Sequence, residues 1–140
     1  MTQSAYESGL LFNQAHRLVR QRIVDVLTSH GLTFTHWSIL TVVSKAKDGV
    51  RLSLVADNMN VKPPLITMEV SPLISKNLIL RVPHQLDSRA KLLTITPKAK
   101  KLLAQVEADI NIQIGQLLAG LSHQELQIFQ KVLLAIINNA

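Results

Sequence analysis

Between Asn77 and Thr96 the chain passes through a short apolar segment ending at Arg81 and a break at Pro83. Asp87-Ser88-Arg89-Ala90-Lys91 comes next, and then Leu92-Leu93-Thr94-Ile95-Thr96. This order predicts two strands joined by a basic tip. Asn tolerates the left-handed backbone found just beyond a helix, so Asn77 marks a helix end. Leu78, Ile79, Leu80 and Val82 favour an extended chain, and Pro83 closes the first strand. Asp87 stands two residues before Arg89, close enough to hold its guanidinium in one direction through a charge-assisted hydrogen bond. An arginine so directed on a protruding ribbon suits a narrow, negatively charged groove. A solvated hairpin with an ordinary surface ion pair is the other reading of the same residues.

The forty-odd residues before this hairpin hold three short helical patterns. Thr35 is expected to cap a helix running through Lys47, with Trp37, Ile39, Leu40, Val42, Val43 and Ala46 inward and Asp48-Gly49 as the turn after it. Ser53 is expected to cap a second helix that runs through Leu54, Val55, Ala56 and Met59. A third begins near Lys62 with Pro63 in its first turn, where the missing N–H costs nothing. Its packing face is read as Leu65, Ile66, Met68, Val70, Leu73 and Ile74, with Thr67, Ser71 and Ser75 as polar neighbours. In such an arrangement the third helix is the one presented to DNA.

The ordered series of residues resembles the multiple antibiotic resistance regulator (MarR) family of winged helix-turn-helix transcription factors. It runs from Leu32-Thr33 and His36-Trp37 through Leu54-Val55-Ala56 and Val61. It continues through Leu73 to Arg81 and closes with Asp87 to Lys91 and Leu93 to Thr96. With flanking helices the resemblance covers nearly the whole chain. It implies a mostly α fold with a small β-hairpin wing: a winged helix-turn-helix over residues 31–96, and dimerisation helices over 1–30 and 97–140. It further implies a cytoplasmic, homodimeric repressor of transcription that binds double-stranded DNA, is not an enzyme, and is released by a small aromatic or anionic effector. On this reading Lys62, Thr67, Ser71, Lys76, Arg81, Asp87, Arg89 and Lys91 face DNA. The chain departs from the family pattern at Met68, where members commonly carry a basic or polar group. It departs again at Pro63, Pro64 and Leu65, which replace a Ser/Thr-rich helix start, and at Pro72 inside the helix. These departures leave open an alternative, a winged-helix protein-interaction module with weak or conditional DNA binding.

Charge placement agrees with a DNA-facing middle. Residues 51–101 hold nine of the 15 Lys and Arg against three of the nine acids, whereas residues 102–140 hold one against three. The basic surplus thus coincides with the segment expected to displace counterions from phosphates. No cysteine is present, which excludes disulfides, thiolate metal sites and thiol-based sensing. No apolar run approaches the roughly 18 to 20 residues needed to span a bilayer, and Met1 to Gly9 lacks the basic start and apolar core of an export signal.

Both ends read as long amphipathic helices. Leu10, Leu11, Ala15, Leu18, Val19, Ile23, Val26 and Leu27 recur at helical spacing between Ser4 and Ser29. Thr96 caps a helix with Pro97 at its first position, running to Gly120. Ser122 and Glu125 form a capping box before Leu126, Phe129, Val132, Leu133, Ile136 and Ile137. So much apolar surface points to a homodimer, although packing within one subunit is the simpler alternative. The resemblance places an effector where these helices meet the winged domain, and Phe12, His16, Arg20, His36 and Trp37 are the candidate lining residues. The five histidines show no metal-ligand spacing, no phosphate loop or nucleophile elbow is present, and no cofactor is implied.

Overall fold

The computed structural model describes residues 4–83, 86 and 91–140. Asp87 and Arg89 therefore lie outside the described residues.

Local chemistry at the ends of each element explains its bounds. Helix α1 (Ala5–Ser29) starts where the Ser4 hydroxyl accepts from Glu7 N at 3.1 Å. It stops at Gly31, whose φ of 72° lets Gly31 N and Leu32 N turn back to Thr28 O and Leu27 O. Helix α2 (Phe34–Ser44) is capped by Thr33, not by the expected Thr35, with the Thr33 hydroxyl accepting from His36 N at 3.0 Å. The Gly31 turn leaves Thr33 extended, so the helix is already under way at Thr35. The helix also ends before Lys47, because the chain must turn into a strand that the sequence pattern does not announce.

That strand is β1 (Val50–Arg51), and it decides where the next helix begins. Helix α3 (Leu52–Met59) has Arg51 at its N-cap with no side-chain cap, in place of the expected Ser53. Asn60 then takes a left-handed conformation, φ 55° and ψ 46°. Helix α4 (Pro63–Ser75) starts after Lys62, as expected, and continues through Pro72 as one element. Asn77, at φ 60°, ends it, with Leu78 N donating to Leu73 O at 2.9 Å.

Strands β2 (Ile79–Pro83) and β3 (Lys91–Ile95) pair antiparallel from Ile79 opposite Ile95 to Pro83 opposite Lys91. β1 adds to the other side of β3, Val50 opposite Leu93, so the strand order is β1-β3-β2. The β2–β3 pair is the hairpin expected from the sequence, and β1 extends it to a three-stranded antiparallel sheet. Thr96, only 3% exposed, ties the sheet to the next helix. Its hydroxyl donates to Asn77 O at 2.8 Å and accepts from Ala99 N at 3.1 Å, opening helix α5 (Pro97–Leu117). Helix α6 (His123–Asn139) opens with the expected capping box of Ser122 and Glu125.

Leu27, Ile39, Leu40, Val43, Val55, Ile66, Leu73, Ile79, Leu93 and Val106 form the fully buried centre, drawn from α1 to α5 and the sheet. Each such side chain contributes on the order of 2 kcal/mol by leaving water. Two side chains read as packing residues instead face solvent: Leu65 at 43% and Met68 at 71% exposure. Ile66, Val70 and Leu73 fill the contact of α4 with the core, and helical spacing puts Met68 on the opposite side and Leu65 at the flank, so apolar character alone did not place them inside. α6 buries none of its residues within the chain. No helix among the described residues is long and apolar enough to cross a membrane.

Candidate nucleic-acid interface

Helix α4 packs against α3 and against strand β2, and its solvent side is the candidate DNA-facing surface. Across α4 the buried residues are Ile66, Val70 and Leu73, so Pro64, Met68, Ser71 and Ser75 form the outward stripe, with Thr67 and Pro72 beside it. Lys62 stands exposed at the N-cap and Lys76 at the C-cap. Among the candidate DNA residues, Thr67 and Ser71 are exposed along α4, and Lys62 and Lys76 are exposed at its two ends. Arg81 is exposed on β2, an edge strand, and Lys91 is exposed at the start of β3, opposite Pro83. Lys98 belongs to the basic surplus of residues 51–101 but not to the candidate DNA residues; its ammonium donates to Lys76 O at 2.9 Å and adds charge where α4 ends. No local pattern marks that contact, because it joins residues 22 apart.

The polar groups on this face are mostly occupied. Thr67 Oγ1 donates to Pro63 O at 3.2 Å and Ser75 Oγ to Ser71 O at 3.2 Å. On α3, Asn58 Nδ2 donates to Leu54 O at 3.0 Å. The acid of α4, Glu69, is half-buried, and its Oε2 lies 2.8 Å from His36 Nε2. The face therefore offers lysines at its ends and apolar atoms with a few hydroxyls at its centre.

The five effector candidates separate into two groups. Phe12, His16 and Arg20 recur at four-residue intervals along one side of α1, and the Phe12 and His16 rings stack with centroids 6.3 Å apart. The Arg20 guanidinium lies 4.0 Å from the centroid of the Phe34 ring, which meets Trp37 edge to face at 5.4 Å. Phe34, absent from the sequence reading, is the link between α1 and Trp37. A cavity of about 450 Å³ lies against Phe34, Trp37, Thr41, Asn58 and Met59. His36 does not join this group; it is buried and faces Glu69 on α4.

Helix α4 held across α2 and α3, with a three-stranded wing beside it, defines a winged helix-turn-helix protein. Known structures share this arrangement over nearly their full length. The transcriptional regulator PA3341 is 30% identical, with 94% of this chain and 96% of that one covered and a TM-score of 0.76. A MarR-family transcriptional regulator from Rhodococcus sp. RHA1 is 22% identical over 96% of both chains, with a TM-score of 0.79. The F27L mutant of MepR from S. aureus, bound to an oligodeoxyribonucleotide, is 20% identical over 98% of this chain and 99% of that one, with a TM-score of 0.70. No protein-family model matches the chain. The 30% identity to a transcriptional regulator and the shared fold together give the family: the chain belongs to the MarR family of winged-helix transcriptional regulators.

Proposed function

We propose that the protein binds double-stranded DNA as a homodimer and represses transcription at the sites it covers, without catalytic activity of its own. The observation that carries this reading is the exposed face of α4, flanked by Lys62 and Lys76, inside a segment with a surplus of six positive charges. Such a helix lies in the major groove, its terminal lysines reach phosphates, and the wing reaches the adjacent minor groove. In this reading residues 31–96 are the DNA-binding unit, with Arg81, Asp87, Arg89 and Lys91 on the wing. Residues 1–30 and 97–140 pair two subunits so that two half-sites about one helical turn apart are met together. The oligodeoxyribonucleotide bound to the MepR variant supports the same role for the shared fold. A cytoplasmic location accords with that role.

Control by a small aromatic or anionic effector is part of this reading. Its support is the line of Phe12, His16 and Arg20 leading to Phe34 and Trp37, which offers aromatic walls and one cation beside the helices assigned to pairing.

The test is binding of fluorescent genomic fragments at several salt concentrations. Affinity should fall steeply with salt, as counterion release demands. Absence of any duplex binding at about 50 mM salt would overturn the proposal.

A further inference from the structure

We infer that α4 reads its site chiefly through thymine methyl groups, with Met68 as the specificity-determining residue and Leu65 beside it. This rests on the DNA-binding reading above and adds what is recognised.

Bases in the major groove are ordinarily told apart by paired hydrogen bonds from Arg, Lys, Asn or Gln. The thirteen residues of α4 include none of these. The hydroxyls of Thr67 and Ser75 donate to the helix's own carbonyls, and the nearby Asn58 amide is bound to Leu54 O. Glu69, which would accept from cytosine, is drawn inward against His36 at 2.8 Å. Ser71 also faces outward, but a single hydroxyl serves either a donor or an acceptor and separates bases weakly. The large side chains that project are apolar, Met68 at 71% exposure and Leu65 at 43%. Pro64 is one turn before Met68 on the same stripe.

The thymine methyl is the apolar group that projects from a base edge into the major groove. Met is unbranched and polarizable, so it can settle against a methyl with little demand on geometry. Charge favours a nucleic acid over an apolar protein surface as the occupant. Lys62 and Lys76 stand at the two ends of a helix about 20 Å long, and Lys98 and Arg81 add to the C-terminal side. An apolar centre between cations matches a groove whose floor carries methyls and whose walls carry phosphates.

The experiment has two stages. Duplexes enriched from a random pool by the full-length protein are first aligned, and thymine is then replaced by deoxyuridine at each enriched position. Removal of one contacted methyl should weaken binding about three- to fivefold, the effect of exposing one methyl-sized apolar group. In Met68→Ala the ratio of thymine to uracil affinity should fall toward one. Met68 lies on the exposed face of α4, and an unchanged melting temperature confirms that the variant is folded. Enriched duplexes bound equally well with uracil would overturn the inference while leaving DNA binding intact. A thymine preference that persists unchanged in Met68→Ala would also overturn it, by assigning the preference to DNA shape or the wing. Failure to enrich any duplex would overturn both this inference and the DNA-binding reading, and would favour a protein partner for the Leu65 and Met68 surface.

Discussion

His36 on α2 and Glu69 on α4 approach to 2.8 Å, Nε2 to Oε2, with side chains 11% and 32% exposed. The approach has the distance of an ion pair but not the angles of a hydrogen bond. Among the described residues neither His36 ring nitrogen has a hydrogen-bond partner. The carboxylate is therefore the one nearby group that offsets the cost of enclosing this imidazole, and it sets α4 against α2.

Glu69→Ala removes that compensation. The expected loss is about 1 kcal/mol of stability, the order for one partly exposed ion-pair contact. Urea unfolding of the variant checks this, and an unchanged midpoint would show that the carboxylate contributes nothing measurable at His36.

Gly49 lies at φ 101°, and a Cβ placed there would sit 2.9 Å from Leu92 Cβ and 3.2 Å from Thr94 Cγ2. Leu92 Cβ is fixed by β3 and has no rotamer to yield. Gly49→Ala should destabilise the protein by about 1 to 3 kcal/mol through backbone strain alone, with the clash added to it. Loss of β1 pairing should appear as faster amide exchange at Val50 and Arg51. A melting temperature equal to that of the parent would refute the steric argument.

Which parts of this architecture were legible in the sequence depends on how local their causes are. Asn77, Thr96 with Pro97, Lys62 with Pro63, and the Ser122–Glu125 box act within one helical turn, and each element end was read from them. β1 is two residues long and carries no period of its own; only its pairing with Leu92 and Leu93 makes it a strand. Arg51 then displaces Ser53 as the start of α3. Thr33 and Thr35 are both good caps, and the choice falls to the left-handed turn at Gly31. Along α4 the inward line of Ile66, Val70 and Leu73 was among the residues read as packing, but Leu65 and Met68 were placed with it because they are apolar, although Met68 lies on the opposite side of the helix. The contacts of Arg20 with Phe34 and of Lys98 with Lys76 join separate elements, and no spacing rule reports them.

The outer surface of α6 supports a dimer that the described chain alone does not contain. Phe129, Val132, Ile136 and Ile137 are 44%, 50%, 50% and 67% exposed, a costly arrangement for so apolar a helix in water. Because Phe129 and Ile137 are exposed within one chain, replacing both with Glu should spare the subunit's core and act on pairing. The double variant is expected to sediment as a folded monomer and to lose most DNA affinity, since one half-site then binds alone. A parent protein that is itself monomeric at micromolar concentration would refute the dimer.

Trp37 is the sole tryptophan and touches Phe34, which lies beneath Arg20. A small aromatic acid entering beside these groups should change its emission as it is titrated. Arg20→Ala removes both the cation and its contact with the ring, worth about 0.5 to 1 kcal/mol at an exposed site. That variant should lose the fluorescence response and the accompanying release of DNA. An equal response in Arg20→Ala would separate the effector from this cluster.

The wing carries the prediction drawn most directly from residue order. If Asp87 directs Arg89 into the minor groove, Arg89→Ala should lower DNA affinity by about 1 to 3 kcal/mol. Asp87→Ala should weaken binding as well, although removing an acid from a DNA-facing surface would ordinarily strengthen it. Salt separates the roles of the three residues. Lys91, exposed at the start of β3, is a phosphate contact in this reading, so Lys91→Ala should mainly flatten the slope of log affinity against log salt. Asp87→Ala should leave that slope nearly unchanged, because it alters the direction of a contact and not the number of phosphates neutralised. Isotherms of the three variants at several salt concentrations decide the matter. Parent-like affinity in Arg89→Ala would reduce the wing to a solvated ribbon and leave α4 as the DNA-reading element.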